Sequence, residues 1–351
     1  MIANDFGILP DSNIERLLGA LRFEKTDRVP NWELGIEART VEHFIGKRLR
    51  SSFLSPEDEV KLALATGMDA IYTPIVRGSE DLRGIGEIWK IEDDGSISYL
   101  GGKIKSQNDL DLLDLDSLRH EWLLGADSVI DECIKAVNGT KIGVSGRLDG
   151  PFWLAQVSMG LEESLVALME DPGLVLNIMD FYTDYERDLA RLFVEKGVPL
   201  VMIADDLAHT TGPMVNPSWF AEQWFPRMQE ILEPLTGKNV ATVFHSCGRL
   251  DEVIPMLIQL GCDAVQAMQP NCNDIYGIRR RYGTDIALMG NIDITFPLST
   301  GTPDDVRKDV LEHLDELGRD GGYIVGSSHS VLNSVPPENF IAMVKAAQER
   351  R

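Results

Sequence analysis

Basic residues are scarce in this chain. Its 33 lysines and arginines face 56 aspartates and glutamates, a formal net charge of -23 over 351 residues. A surface that acidic repels phosphate backbones and anionic bilayers, so neither nucleic acid nor a membrane is an expected partner. Long apolar runs are missing too, and none reaches the length that crosses a bilayer. The opening residues, MIANDFGILPDSNIERLLG, lack a basic stretch followed by an apolar one. No secretory signal is read there, and a cytoplasmic location is expected. Cysteine is sparse: Cys133, Cys247, Cys262 and Cys272, with no Cys-x-x-Cys pair. In a reducing compartment these read as free thiols, mostly buried. Internal repeats, low-complexity tracts and linkers are absent, so residues 1–351 read as one domain.

What is present is an alternation of apolar strands and amphipathic helices, the pattern of a parallel sheet. Candidate strands cover 28–35, 70–76, 141–150, 200–207, 239–248, 263–270, 285–293 and 321–330. Eight such strands predict an α/β fold: a single (β/α)8 TIM-like barrel with an N-terminal helical extension. The long helical pattern from Glu163 to Gly197 splits at Asp171-Pro172. The spacing is irregular over 77–140, read as an insertion after the second strand that covers the barrel mouth. Within it, EIWKIEDDGSISYL predicts a hairpin around Asp94-Gly95.

Barrel chemistry sits at the C-terminal ends of strands. There this sequence carries Arg147 and Asp149, Asp205-Asp206, His245 and Cys247, Gln269, Asn291 and Asp293, and Ser327-Ser328-His329. Loops are polar in any case, so the clustering counts for more than any one residue. His245 and Cys247 are two apart in a strand and so aim at one point. They are either packed core residues or two ligands of one ion. Zinc takes imidazole and thiolate, and a catalytic zinc uses three protein ligands. His329 is the best third candidate; its alternatives are a substrate carboxylate or a loop cap. Of Asp205 and Asp206 only one can face the interior, as acid/base, as fourth ligand or as support for a histidine. Both alternations along LVMIAD are apolar, so the choice stays open. Arg147 could meet an anionic substrate or form an inward ion pair. Trp32 and Glu33, with Asn291, Asp293 and Ser328, are the candidate pocket lining. His313 reads as solvated on a charged helix, His43 and His120 as polar helix residues, and His209 as a loop residue near the mouth.

Five segments together resemble one family: FEKTDRVPNWE, GPFWLA, HSCG, MGNID and SSHSVLNSVPPENF, spread in order over nearly the whole chain. They resemble the uroporphyrinogen decarboxylase superfamily, which implies a distorted (β/α)8 barrel. One branch of that family is a metal-free decarboxylase with an arginine-rich stretch of the type Arg-Gln-Ala-Gly-Arg-Tyr. This chain has NWELGIEART in that region, with only Arg39 nearby. The other branch holds corrinoid-dependent methyltransferases, whose zinc motif looks like His-x-Cys-Gly plus a later cysteine. His245-Ser246-Cys247-Gly248 matches its first part, and His329 stands where the later cysteine falls. That departure puts a coenzyme M reaction in doubt and leaves room for demethylation of an aromatic methyl ether.

The resemblance therefore implies a zinc-dependent methyltransferase. Its partners would be a corrinoid protein and a small-molecule methyl donor or acceptor, with a homodimer left open. The runner-up is the metal-free decarboxylase. A non-enzymatic ligand-binding barrel is a third reading, which predicts binding without turnover.

Overall fold

The computed structural model describes residues 6–49, 54–78 and 82–349. Seven parallel strands form its central sheet: β1 (Ala70–Tyr72), β2 (Gly143–Asp149), β3 (Leu200–Ala204), β4 (Ala241–His245), β5 (Ala264–Gln266), β6 (Ala287–Met289) and β7 (Tyr323–Ile324). They pair in chain order, each with the next. Helices cover the sheet, so strands such as β3 are buried along their full length and apolar at every position.

The expected closed eight-stranded barrel is not what forms. The sheet is curled and open. The 28–35 segment supplies only isolated parallel bridges, Asn31 to Val325 and, just beyond, Ile36 to Val331. Backbone bonds tie it to the β7 side: Trp32 N donates to the Val325 oxygen at 3.0 Å, and Val325 N to the Pro30 oxygen at 2.9 Å. No ladder joins this segment to β1. Pro30 has no N–H to offer, and Pro74 lies two residues past the end of β1. Side chains fill the seam instead. The Trp32 indole stacks on the Tyr72 ring at 4.7 Å and 15°, and Asn31 Nδ2 donates to the Thr66 oxygen.

Of the 77–140 stretch, residues 79–81 lie outside the described ones. The hairpin is there: Glu87–Ile91 pairs antiparallel with Ile97–Gly102, and Gly95 takes a positive φ of 78° at the turn. Gly102 is pressed against the Ser158 backbone, where a Cβ would come within 2.3 Å. The meander thus lies on the Pro151–Met159 helix, which starts where β2 ends. The Leu115–Val137 helix, by contrast, is the ordinary crossover from β1 to β2. It packs on the Pro56–Thr66 and Pro172–Glu195 helices. The helical break falls at Asp171-Pro172, between Leu161–Glu170 and Pro172–Glu195. Among the described residues, no helix is long and apolar enough to cross a membrane.

His313 departs from its expected solvated place. It is buried, with Nε2 2.8 Å from Asn291 Oδ1 and Nδ1 2.8 Å from the Asp309 carbonyl oxygen. The Pro303–Leu317 helix turns its charged face outward, and His313 falls in line with Val306, Val310 and Leu317 on the inner one.

Candidate metal centre

β4 ends at His245, and the chain then turns through Ser246-Cys247-Gly248. Gly248 has φ +87°, and a Cβ there would meet the Ala208 carbonyl oxygen at 2.4 Å. Only glycine suits that turn. It leaves Cys247 Sγ 3.7 Å from His245 Nε2. His329, five residues past β7, brings its ring edge-on to that of His245, with centroids 6.0 Å apart. One ligand atom from each of His245, Cys247 and His329 lies within 4.8 Å of the other two.

The sequence reading passed over Gln266, which organises this cluster. It ends β5 directly across from His245. Its Nε2 donates to the His329 carbonyl oxygen at 3.3 Å, so its Oε1 is the end left for His245 Nδ1, which it meets in a short hydrogen bond. His245 must then carry its proton on Nδ1 and turn a bare Nε2 toward Cys247. Burial lowers the His245 pKa to about 4 and lowers that of His329 as well, so both imidazoles are neutral donors. Burial, helped by the Asp206 charge, pushes the Cys247 thiol up. A metal would have to displace that proton. The signal for Gln266 in the sequence is an amide closing the short strand Ala264-Val265, while Gln269, the residue expected there, accepts from Gly248 N at 2.7 Å.

The two aspartates part company. Asp206 Oδ1 accepts from Cys247 N at 2.8 Å and lies 3.7 Å from His245 Nε2. Asp205 is not brought to the cluster. Its oxygens accept from Trp153 N at 2.6 Å and from Trp224 Nε1 at 2.7 Å, and burial raises it to about 7. It ties the end of β3 to the helices behind it.

A cleft of about 360 Å³ opens at the seam, and His329, Arg147, Trp32 and Glu33 all line it. Arg147 reaches Asp149 Oδ1 at 3.3 Å. Asp149 is in turn held by Arg77 at 2.7 Å, and Arg77 binds Glu186 at the same distance. The remaining candidates lie elsewhere. Asn291 and Asp293 border a separate depression of about 750 Å³ beside His313. Ser328 Oγ accepts from Ile294 N at 3.1 Å.

Glu33 supports the His329 loop. Ser327 Oγ sits 2.6 Å from Glu33 Oε2 and 2.9 Å from the His329 carbonyl oxygen, with one proton between two acceptors. A protonated Glu33 resolves the contest: the acid donates to Ser327 Oγ, which donates onward to His329. Burial raises Glu33 from 4.5 to about 8, in the same sense. The folded-state pKa is the higher one, so this stability is complete below about 4.5 and is lost as the pH rises through about 8. Urea midpoints of wild type should therefore fall over that range more than those of Glu33→Gln. Equal slopes would mean Glu33 does not titrate there.

The family model described as Uroporphyrinogen decarboxylase (URO-D) matches residues 12–350. The chain belongs to the uroporphyrinogen decarboxylase family. Within that family it is related to the methylcobamide:CoM methyltransferases. The protein so named, MtbA, from Methanosarcina mazei is 26% identical over 350 residues, 96% of this chain and 98% of the relative. A uroporphyrinogen decarboxylase from Hydrogenovibrio crunogenus is 24% identical over 354 residues, 95% of this chain and 96% of that one. The fold is shared with a solved methyltransferase from Methanosarcina mazei, with a TM-score of 0.75 at 21% identity, covering 96% of this chain and 98% of the other. Arg39, in the NWELGIEART stretch, is turned to Asn333, donating from Nη1 to its carbonyl oxygen at 3.0 Å.

Proposed function

We propose that this protein is a zinc-dependent methyltransferase that moves a methyl group between a small methyl donor or thiol, such as an aromatic methyl ether, and a corrinoid protein. The observation that carries the reading is the convergence of His245, Cys247 and His329 from the ends of β4 and β7. Two neutral imidazoles and one thiol are a donor set that suits zinc, and the Gln266 contact gives His245 the fixed tautomer a ligand needs. Bound there, zinc would supply Lewis acidity, stabilising the oxygen of a departing ether or lowering the pKa of a thiol.

The chain's own groups do the rest. Gln266 holds His245 and the His329 backbone in register. Asp206 fixes the Cys247 turn and puts a negative charge beside the pair, placed to take or return a proton. Arg147 offers a cation in the cleft for an anionic substrate group. Asp205 acts at a distance, by keeping the end of β3 in place.

Two experiments test the reading. Zinc-loaded protein is mixed with methylcobalamin and a thiol, or with cob(I)alamin and a methoxyarene, and the visible spectrum of the corrinoid is followed. A spectral change that depends on the protein is expected in one direction. Silence in both, with zinc bound, would sink the proposal. Gln266→Leu should weaken zinc binding by about 10–100-fold without abolishing it, checked by competition with a chromogenic chelator.

A further inference from the structure

Three carboxyl groups line the seam cleft: Glu33, Glu37 and Glu59. Glu33 is bonded to Ser327. Glu37 accepts from Asn333 N. The half-buried Glu59 carboxyl has no hydrogen bond or ion pair among the described residues, and Leu54, Leu62 and Met68 line the cleft with it. Its neighbour on the Pro56–Thr66 helix shows the contrast, since Asp58 is held by both Lys47 and Lys61. A carboxyl without a partner in apolar surroundings is destabilising. Glu59 stands in the first turn of that helix, where an acid is at home, but burial raises it to about 7.

A buried unsatisfied group lines the same cleft. The Tyr72 hydroxyl is buried, with no hydrogen-bond partner among the described residues. Glu59 is near enough for its charge to bear on that phenol. One group is a donor and the other an acceptor. A hydroxyl both accepts and donates, so it can answer both at once. An ammonium group fits less well, because the Arg147 charge acts on the same phenol. A carboxylate would meet Glu59 itself. The stacked Trp32 and Tyr72 rings add a flat apolar wall for a ring to lie against.

We propose that Glu59 is a substrate-recognition residue, and that the substrate carries a hydroxyl group besides its reacting methyl group or thiol. This rests on the methyl-transfer reading for the identity of the reacting group only. The preference for a hydroxyl is a binding property and needs neither corrinoid nor turnover.

The test is calorimetric titration of the full chain with three probes built on one methoxybenzene ring: methoxybenzene, 3-methoxyphenol and 3-methoxybenzylamine. Wild type should bind the phenol about tenfold or more tighter than the unsubstituted ether. The preference should vanish in Glu59→Leu and persist, reduced, in Glu59→Gln. Glu59→Leu should also melt at a higher temperature, since an unpaired acid gives way to an apolar side chain. That rise confirms a folded variant, and the glutamine variant decides the matter if the leucine one does not fold. Equal binding of phenol and ether, tighter binding of the amine, an unchanged preference in the variants, or no binding of any probe would each overturn the proposal. Failure of methyl transfer with the hydroxyl preference intact would count against the reaction and not against Glu59.

Discussion

Purified wild-type protein should carry about one zinc per chain, and His245→Ala, Cys247→Ala and His329→Ala should each lose nearly all of it. Elemental analysis of the four proteins, purified under reducing conditions, makes the comparison. The large effect follows from the small number of ligands. A three-ligand site that loses one keeps two, and two seldom hold zinc against dilution. The three losses should also be similar, because the ligand atoms lie within 4.8 Å of one another and belong to one centre. Loss in two variants and retention in the His329 one would shift the third ligand to another group, with Asp206 next in line at 3.7 Å from His245 Nε2. No zinc in a folded wild type would leave His245 and Cys247 as packing or substrate contacts.

Arg77→Met should destabilise the fold by about 3–5 kcal/mol, read from the denaturant midpoint. Arg77 is buried and serves two buried carboxyl groups, Asp149 and Glu186, each at 2.7 Å. Burial works against the Asp149 charge, but Arg147 and Arg77 together keep it ionised, below the ordinary carboxylate range. Burial lifts Glu186 to about 8 in spite of Arg77. Removing the guanidinium strands the Asp149 charge, with only the longer Arg147 contact left to answer it. The network also joins three elements: the loop after β1, the end of β2 and the Pro172–Glu195 helix. The double variant Arg77→Met/Asp149→Leu should recover much of the loss, since no charge is then buried alone. A loss below about 1 kcal/mol in the single variant would mean that water reaches the network.

Parts of this structure were legible in the sequence because they depend on near neighbours. The helix break at Asp171-Pro172 and the turn at Asp94-Gly95 follow from local backbone preferences. His245 and Cys247 converge because the strand period is two. The open seam was not legible. It depends on whether 28–35 finds β1, and two rings and two prolines far apart in sequence decide that. Asp205 and Asp206 could not be told apart while both faces of β3 were apolar. Trp153 and Trp224, each distant in sequence, settle where Asp205 goes. Gln266 had no motif to mark it, and its meaning comes only from lying across from His245. Glu59 looks in sequence like any acid at the start of the helix PEDEVKLALAT; what sets it apart is a carboxyl in the cleft with no partner among the described residues.

The unjoined seam has a consequence for traffic. A closed barrel offers its centre one doorway, and two large reactants would have to take turns at it. Here the cleft lies at the seam, lined by the 32–38 segment, by Glu59 and Leu62 of the Pro56–Thr66 helix and by His329. Methyl transfer by displacement needs giver and taker on opposite sides of one carbon. On the proposed methyl-transfer reading, a small molecule entering through this cleft would leave the top of the sheet free for a protein carrying a bulky macrocycle. The missing ladder beside β1 would thus give the two reactants of the proposed transfer separate entrances to one site.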